Sequence, residues 1–528
     1  MARGWVFLLA AGLLAAFGRP AWAGPSPQIR LPDLLAVELP RGVPDLGPND
    51  PPLRDLLASA RSDDRKVTAD LAGRAGPGPV KVTWTAWDTA GQPVASRSGV
   101  IFVLPTGFTP VGTASDENAT AGNNAVRIVH DKSGHVHMIW AGSGGSSGRA
   151  GPVYRRAAVA GNGTVTLETP PVYVADPGPA DWNAYPSLTL AGTAVQLVWQ
   201  GGGTVRTRSV SSAAGGFALG PVIDTRARSG GRDTGPAIAA DARGLHIVTP
   251  DGIYAFSGDA GATWKTAAVP LPEGQHVKTA SLAVTDTGEI DIAFSSIARE
   301  KQKGASTAGG GGWWQLRTIQ RTVRGTWENP RDALAGFPGW QAPGPDEDVL
   351  ADWVRIAKAE GGGLHATWHG TKESRIYGND AAFYAWRSPF GVWETPVRLV
   401  PQDPAHGTRF SFAPSLAVDG RRALALAFYD VYAGEEWIGF DSALAVLHDG
   451  WLEGPRIPVT QFVAAAIASG HRERALSTRF PAAAPEVWRA DDGHAWLDVL
   501  ETLGSRFPGA QDHLIVYHRL DVTAALAE

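Results

Sequence analysis

The chain of 528 residues contains no cysteine and only two methionines. The absence of cysteine excludes a disulfide framework and a thiolate metal site, so a large apolar core has to hold the fold together. The formal net charge is only -5, which gives no bulk attraction to nucleic acid or to an anionic membrane surface. Beyond the N-terminus, no apolar run approaches the roughly 20 residues that a membrane-spanning helix requires. We therefore expect no nucleic-acid partner and no membrane span.

The first residues have the pattern of a secretory signal peptide. Arg3 precedes an apolar run from Trp5 to Phe17, and Ala21-Trp22-Ala23 before Gly24 matches an A-x-A cleavage site. The apolar run is too short for a membrane anchor. We expect residues 1–23 to be removed and the mature chain to be secreted or periplasmic. The bias towards Ala, Arg and Gly is typical of a bacterial source.

Residues 24–79 predict an N-terminal extension that contains a short helix and no sheet. Asn49-Asp50-Pro51-Pro52 before Leu53 and Leu57 is a helix start with proline in the first turn, where its missing N–H costs nothing. Gly76-Pro77-Gly78-Pro79 then ends the segment. The extension is expected to pack on the side or face of the main domain, and a flexible leader is the alternative.

A unit of short strands recurs through the rest of the chain, which is rich in turn formers and tryptophan, with 64 Gly, 39 Pro and 20 Trp. The first strand of each unit begins near Val126, Ser187, Ala237, Ser281, Val354, Ser415 and Pro485. The second strand leads to a marker position, aromatic in all units but one, at Trp140, Trp199, Thr249, Phe294, Trp368, Phe428 and Trp496. One or two further strand-like runs follow each pair. Four antiparallel strands per unit is the pattern of a β-propeller blade.

The sequence thus predicts an all-β propeller of four-stranded blades over residues 80–528, with seven blades preferred and six as the alternative. The last unit runs out one strand short. Val80 to Trp87 and Gly99 to Leu104 form a strand pair without obvious partners. We expect residues 80–104 to complete the last blade and close the ring with strands from both ends of the chain. A stacked solenoid is disfavoured because the spacing of the markers varies.

One turn has its chemistry visible in the sequence, Ser257-Gly258-Asp259-Ala260-Gly261-Ala262-Thr263-Trp264. The Ser257 and Asp259 side chains can accept hydrogen bonds from turn N–H groups, Gly261 allows a positive φ, and Trp264 can pack on the sheet. The turn resembles the Asp-box, or BNR repeat, of sialidase-like β-propellers, with Ser257, Asp259, Gly261, Thr263 and Trp264 at the positions of the box. In that family the box is structural.

The resemblance implies that ligands bind on the ring face opposite this turn, where the long connections lie. Arginines are frequent in those connections, and three of them, Arg232, Arg375 and Arg409, are candidate ligands for the carboxylate or sulfate of an acidic carbohydrate. A solvated arginine paired with a nearby acid is the alternative for each one. The predicted partner is an acidic carbohydrate or glycoconjugate.

The resemblance to sialidases implies glycoside hydrolysis as the first choice of activity. A retaining sialidase uses a tyrosine nucleophile polarised by a glutamate, and an aspartate as acid and base. Tyr432 with Glu436 or Glu435, and Asp430 or Asp380, are the candidates here. No sialidase catalytic motif carries over position by position, and true sialidases require six blades.

Two alternatives stay open. Seven-bladed polysaccharide lyases with BNR-like repeats abstract the proton α to a uronate carboxylate, and His369, Tyr377 and Arg375 would then be base, acid and neutraliser. A propeller that only binds glycan or protein is the other alternative, with Trp313, Trp314, Trp340 or Trp437 as stacking platforms. Three further histidines occupy one repeated slot and are predicted to be structural: His137, His246 and His365.

The sequence predicts no cofactor and no metal site. It has no His-Glu-x-x-His motif and no EF-hand loop. Its glycine-rich runs lack the Lys-Ser/Thr of a phosphate-binding loop, and no Gly-x-Ser-x-Gly elbow stands between a strand and a helix.

Overall fold

The fold consists almost entirely of antiparallel sheets, which confirms the all-β prediction. The computed structural model of the chain describes residues 28–32, 34–63, 65–71, 73–114, 118–121, 124–143, 149–160, 164–175, 178–179, 185–213, 216–230, 234–271, 273–298, 315–328, 330–332, 350–371, 381–401, 411–505 and 513–527. Within these ranges no helix is both long and apolar enough to cross a membrane.

The N-terminal sheet is separate from the others and contains four strands. Their spatial order is Ala36–Glu38, Pro93–Leu104, Gly78–Trp87 and Lys66–Asp70. A helix, Pro51–Leu57, lies where the capped helix start is predicted, and its Leu53 and Leu57 are buried. Two features differ from the sequence prediction: the extension contributes two strands, and residues 80–104 pair within this sheet. The reason is that Val82, Trp84 and Ile101 bury their side chains against the extension.

Seven sheets, named A to G here, follow one another along the described part of the chain. Sheet A consists of Ile128–His130, His135–Ser143, Arg149–Val159 and Val172–Tyr173, and Val165–Leu167 and Gly178–Pro179 also pair with its third strand. Sheet B consists of Ser187–Ala191, Ala194–Gly201, Thr204–Ala213 and Gly216–Leu219, and Ile223–Arg228 also pairs with its third strand. Sheet C consists of Ala237–Asp241, Gly244–Val248, Ile253–Ser257 and Lys265–Ala268. Sheet D consists of Gln275–Val284, Ile290–Ala298, Gln315–Arg321 and Arg331–Asp332.

Sheet E consists of Leu350–Lys358, Leu364–Thr371, Ala381–Arg387 and Val397–Arg398. Sheet F consists of Ser411–Asp419, Arg422–Ala433, Glu436–His448 and Trp451–Thr460. Sheet G has Leu476–Ala483, Ala495–Ser505, His513–Asp521 and Phe108–Ala114, with Trp488–Arg489 at the side. The remaining helical segments are Glu360–Gly362, Phe462–Ala468, Arg472–Arg474 and Thr523–Leu526. The first strand of sheet G therefore precedes the predicted start at Pro485.

Sheet G combines strands from both ends of the chain, but the N-terminal strand is Phe108–Ala114 and not residues 80–104. Phe108–Ala114 runs antiparallel to His513–Asp521, with Thr113 opposite Leu514. Val111 packs in one apolar cluster with Trp140 of sheet A and Leu500 of sheet G. Phe108 at the start of the strand still packs beside Phe102 and Leu104 of the N-terminal sheet, whereas Val111 and Ala114 pack in the cluster between sheets G and A.

The first strands of neighbouring sheets contact each other from A to G, and sheet G contacts sheet A through Ala495–Ser505 and Ile128–His130. Serine hydroxyls join several of these seams. Ser187 Oγ accepts a hydrogen bond from Val126 N at 3.1 Å, Ser281 Oγ from Ile356 N at 3.2 Å, and Ser415 Oγ from Ala483 N at 2.8 Å. These contacts arrange the sheets around a common axis, with the first strands nearest to it.

Candidate functional site

The first strands of four sheets have a kink within them or directly before them, close to the axis. Tyr185, Trp353, Ala413 and Phe480 have positive φ values of 36°, 51°, 43° and 45°. In sheets E, F and G the strand register shifts at the same place. Extra residues of this kind bend a strand and re-aim its side chains. Here the kinks turn side chains of different sheets towards one another.

An aromatic cluster has formed at these kinks, and we call Trp353, Phe412, Phe428, Trp437, Phe440 and Phe480 the mouth cluster. The rings of Trp353 in sheet E and Phe480 in sheet G are 5.1 Å apart, although these sheets are not neighbours along the chain. Phe428 of sheet F contacts Phe480 at 5.2 Å, and the Arg479 guanidinium lies 4.3 Å from the Phe440 ring centre. The mouth cluster therefore lies on the axis of the ring.

The segment before sheet A also reaches the axis. Asn124 is buried, and its Nδ2 donates hydrogen bonds to Gly235 O at 2.8 Å and to Ala280 O at 2.9 Å. Gly235 precedes the first strand of sheet C, and Ala280 lies within the first strand of sheet D. One amide side chain thus ties three parts of the ring together, which fixes the position of Arg127 three residues later.

Two arginines are buried at the axis without a carboxylate partner. Arg127 is 1% exposed and Arg355 is 3% exposed. Arg127 Nη2 donates to Ala121 O, whereas its Nε and Nη1 and the Nε of Arg355 have no hydrogen-bond partner. Among the described residues, neither arginine forms an ion pair. Burial is the main cause that lowers the pKa of Arg127 to about 9; Tyr185 opposes it and the charge of Arg355 adds to it. Burial lowers the pKa of Arg355 to about 10.

A nearby lysine is different because its charge is compensated. Lys278 Nζ pairs with a carboxylate oxygen of the buried Asp352, and Asp352 Oδ1 also accepts a hydrogen bond from Trp353 N at 2.8 Å. Asp352 is thus neutralised by Lys278. Buried positive charge without a carboxylate partner thus remains at Arg127 and Arg355.

His369 is the predicted catalytic residue that the structure brings to the axis most clearly. It is buried near the end of Leu364–Thr371, with its ring 5.3 Å from Trp353 and 5.4 Å from Phe412. Thr367 lies opposite Arg355 across the two strands. Residues two apart on a strand share a face, so His369 lies on the same side of sheet E as the position facing Arg355.

The three predicted catalytic residues of sheet F lie at different positions along one hairpin. Asp430 is buried opposite Phe440, and Tyr432 is half-buried opposite Trp437. Glu436 is exposed near the hairpin tip, where its Oε2 lies 3.4 Å from Arg472 Nη1. The partner of Glu436 is therefore Arg472 and not Tyr432. The roles predicted for Asp430, Tyr432 and Glu436 stay predictions.

The other predicted site residues lie outside the described residues: Tyr377, Arg232, Arg375 and Arg409, together with Asp380, Trp313, Trp314 and Trp340. Their roles stay predictions as well.

The Asp-box turn connects the last two strands of sheet C and has the predicted hydrogen bonds. Ser257 Oγ donates to Asp259 Oδ1 and accepts from Gly261 N, both at 2.8 Å, and Thr263 N donates to Asp259 Oδ1 at 2.9 Å. Gly261 has φ 90°, and Trp264 Nε1 donates to Gly261 O at 3.1 Å. Hydrogen bonds from Thr263 lead in lowering the pKa of Asp259 to about 2. The turn stabilises its hairpin through these contacts and lies far along the sheet from the mouth end.

The repeated histidines form internal hydrogen bonds within their sheets. His137, His246 and His365 place Nδ1 at 2.6, 2.7 and 2.8 Å from a tyrosine hydroxyl, namely Tyr154, Tyr254 and Tyr384. In sheet G the same slot holds Asp498, which accepts a hydrogen bond from Tyr517 Oη at 2.6 Å. The register places Asp498 opposite Arg519 just as His137 is opposite Arg156. These residues hold strands together.

This equivalence exposes a functional candidate that sequence reasoning missed. Three residues after the slot, other sheets have a buried aromatic side chain, as at Trp140 and Trp368, but sheet G has Glu501. The predicted marker Trp496 is therefore displaced by five residues. Glu501 is 0% exposed, its Oε2 accepts from Thr478 Oγ1 at 3.0 Å, and its Oε1 lies 3.1 Å from His518 Nε2.

A second buried carboxyl group lies in the same seam between sheets F and G. Asp441 accepts hydrogen bonds from Val463 N and Ala464 N, each at 3.0 Å, at the start of the helix Phe462–Ala468. Burial raises the pKa of Asp441 to about 7, and the charge of Glu501 adds to the effect, against the backbone hydrogen bonds that lower it. The F–G seam is thus polar where other seams are aromatic.

Comparisons with known proteins give weak likenesses only. No family model and no curated protein matches the sequence. Among solved structures, an ulvan lyase of polysaccharide lyase family PL25 is 12% identical with a TM-score of 0.48, covering 77% of this chain and 93% of that one. The NanB sialidase from Streptococcus pneumoniae is 10% identical with a TM-score of 0.37, covering 84% of each chain.

An α-L-arabinanase from Penicillium chrysogenum is 13% identical with a TM-score of 0.38, covering 64% of this chain and 93% of that one. All these TM-scores lie below 0.5, so the likenesses assign neither a fold family nor an activity to this chain.

Proposed function

We propose that the protein is an exported, seven-bladed β-propeller that acts on an acidic carbohydrate at its mouth cluster. Sheets A to G would be the blades, each with four strands in spatial order from the axis outwards. The pairing of Phe108–Ala114 with His513–Asp521 would close the ring. Closure removes the free sheet edges that an open array would expose.

The observation that carries the acidic ligand is the pair of buried arginines. A buried charge without a partner costs free energy in the folded protein, and Arg127 and Arg355 both have this cost. A carboxylate or sulfate bound between them would offset it, because guanidinium groups bind such anions bidentately. The aromatic faces of the mouth cluster beside them suit the apolar faces of sugar rings.

The described residues favour β-elimination on a uronate as the reaction. Arg355 would neutralise the carboxylate and so make the proton on the adjacent ring carbon more acidic. His369 would accept that proton, the bond from the neighbouring carbon to the glycosidic oxygen would break, and a carbon–carbon double bond would form. The leaving oxygen needs a proton, for which Tyr377 is the candidate.

Hydrolysis is the second candidate, and the buried carboxyl group of Asp430 is the observation that favours it. A buried carboxyl group suits a general acid that protonates a leaving glycosidic oxygen. Tyr432 would be the nucleophile on the same hairpin. Glu436 is less suited to polarise Tyr432 because it pairs with Arg472 at the exposed tip.

The test is incubation of the purified protein with uronate polymers, namely alginate, polygalacturonate and ulvan. Elimination produces unsaturated uronates that absorb ultraviolet light, and the His369→Ala variant should abolish this signal. Release of reducing ends without ultraviolet absorbance would contradict elimination and favour hydrolysis, which Asp430→Asn should then abolish. If no polymer is cleaved and none is bound, the proposed function is wrong.

A further inference from the structure

A second site lies between sheets D and E at the end of the strands remote from the mouth cluster. It is a groove of about 400 Å³, and we call it the D–E groove. Its lining comes from turns of both sheets, including Thr287, Glu289, Gln320, Gly362 and Phe390. All of its lining residues belong to the described part of the chain.

The D–E groove is separate from the mouth cluster. Gly362 immediately precedes the strand Leu364–Thr371, and His369 is near the end of that strand. Seven residues separate Gly362 from His369, and a strand rises by about 3.3 Å per residue, so the two sites are on the order of 20 Å apart. A single sugar ring therefore cannot occupy both sites at once.

The lining of the D–E groove is polar and net acidic. Glu289 Oε2 accepts hydrogen bonds from Thr287 Oγ1 and from Gln320 Nε2, both at 3.3 Å, and Glu328 adds a second carboxylate. Arg387 is the cation in the lining, and its Nη2 donates to Asp291 Oδ2 at 2.9 Å. The charge of Arg387 is thus compensated by Asp291, so the groove favours a ligand with hydroxyl groups over one with carboxylates.

One exposed apolar side chain, Phe390, lines the groove, and two more lie on turns next to it. Five large apolar residues of the described chain are exposed, and three of them lie on adjacent turns of sheets E and F: Phe390 at 93%, Val392 at 59% and Trp451 at 74%. The two turns are in contact, since a Cβ on Gly450 would be 3.2 Å from Glu394 Cβ. Burying apolar residues would stabilise the fold, so their exposure on one face marks a binding surface.

We propose that the D–E groove, with Phe390 and Trp451, binds a neutral carbohydrate and acts as an exosite that the mouth cluster does not require. Sugar rings have an apolar face that stacks on aromatic side chains, and their hydroxyl groups both donate and accept hydrogen bonds. The carboxylates and threonine hydroxyls of the groove accept and donate in turn. A uronate would meet Glu289 and Glu328 and be repelled.

The experiment is native gel electrophoresis of the full chain through gels that contain a soluble neutral polysaccharide: β-glucan, xylan or galactan. At least one should retard the protein. Stacking contacts of this kind should make Phe390→Ala and Trp451→Ala raise the apparent Kd about tenfold. Val222→Ala is the matched control, because Val222 is exposed but lies in sheet B, and it should leave retardation unchanged.

A gel with carboxymethylated β-glucan tests the charge of the site, and it should retard Phe390→Ala and the parent protein equally. The proposal is overturned if no neutral polysaccharide retards the protein, if Phe390→Ala is retarded as strongly as the parent, or if the acidic polymer is bound through Phe390. The Arg355→Met variant should still be retarded by the neutral polysaccharide. That result separates a failure of this site from a failure of the mouth cluster.

Discussion

The two ends of the ring differ in charge and in access. At the mouth end, Arg127 and Arg355 are buried without carboxylate partners and aromatic rings meet on the axis. At the other end, the D–E groove is open, Glu289 and Glu328 line it, and its arginine is paired. The difference teaches that one scaffold can present buried arginines at one end and open carboxylates at the other, since each end is built from different strand ends.

The largest expected effect is at the mouth end. Arg355→Met should lower activity or affinity for acidic polymer about 100-fold, as expected for loss of a buried charged donor. It should not lower the free energy of unfolding, because it removes an unpartnered buried charge. Chemical denaturation and polymer cleavage measure the two quantities. A large loss of stability would mean that Arg355 is structural and that the contrast between the ends is false.

Arg155→Met is the matched control for that variant. Arg155 is half-buried, and its Nε and Nη1 donate to Thr169 O at 2.8 Å and Val111 O at 2.5 Å. Losing these bonds should cost roughly 1–3 kcal/mol of stability. Cleavage of acidic polymer should be unchanged at a temperature where the variant is folded.

One contribution to the pH dependence of stability should come from the mouth half, through Asp441. Its folded pKa of about 7 is above the ordinary value, so the folded protein holds a proton that the unfolded chain releases. The contribution of Asp441 to stability should therefore fall as pH rises from about 4 to 7, by roughly 2–4 kcal/mol. The buried His365 acts in the opposite direction, because its pKa of about 3 lies below the ordinary value and its contribution rises over the same range. Asp441→Asn should remove the falling contribution, so the stability of the variant relative to the parent should rise between about pH 4 and 7 in denaturation experiments at several pH values. An unchanged profile would contradict the assignment.

A charge change in the D–E groove should weaken the contrast between the ends. Glu289→Lys puts a cation where the groove has a carboxylate, so carboxymethylated β-glucan should bind severalfold more tightly and neutral polymer more weakly. Gel retardation in both polymers measures this. Glu273→Lys supplies the same change of charge at an exposed position outside the groove. Equal effects of both variants would show that net charge alone decides binding.

The smallest effect is expected at the Asp-box turn, which lies outside both sites. Ser257 is buried, and Ser257→Ala removes the acceptor of Gly261 N, which should cost about 1 kcal/mol of stability. Binding at both ends should be unchanged in the gel assays. A loss of binding would show that this turn has a ligand role as well as a structural one.

Much of the fold could be predicted from local chemistry. The hydrogen bonds of the turn Ser257 to Trp264 follow from the residue types at its positions. Six of the seven predicted unit starts lie in or beside the first strands of sheets A to F. The ring-closing strand could not be predicted, because Val80 to Leu104 and Phe108–Ala114 are both apolar strands. Only the burial of Val82 and Trp84 against the extension decides between them.

The site was harder to predict than the fold because it depends on the axis. Arg127 and Arg355 look like ordinary strand residues until the ring brings sheets A and E together. A signal did exist: Tyr185-Pro186, Ala413-Pro414 and Phe480-Pro481 each have a proline directly after a positive-φ residue at the first strand of a sheet. This proline, repeated in three of the seven sheets, would have pointed to the axis. Glu501 could be recognised only from the strand register of sheet G.

The pairing of Phe108–Ala114 with His513–Asp521 has a consequence for biosynthesis. The two partners are about 400 residues apart, so a ribosome has to complete nearly the whole polypeptide before they can meet, and contacts of such long range make folding slow. Until then Phe108–Ala114 is a strand with an open edge, which invites pairing with other nascent chains. Premature termination before His513 should therefore yield aggregates or protease substrates rather than a shortened, working protein.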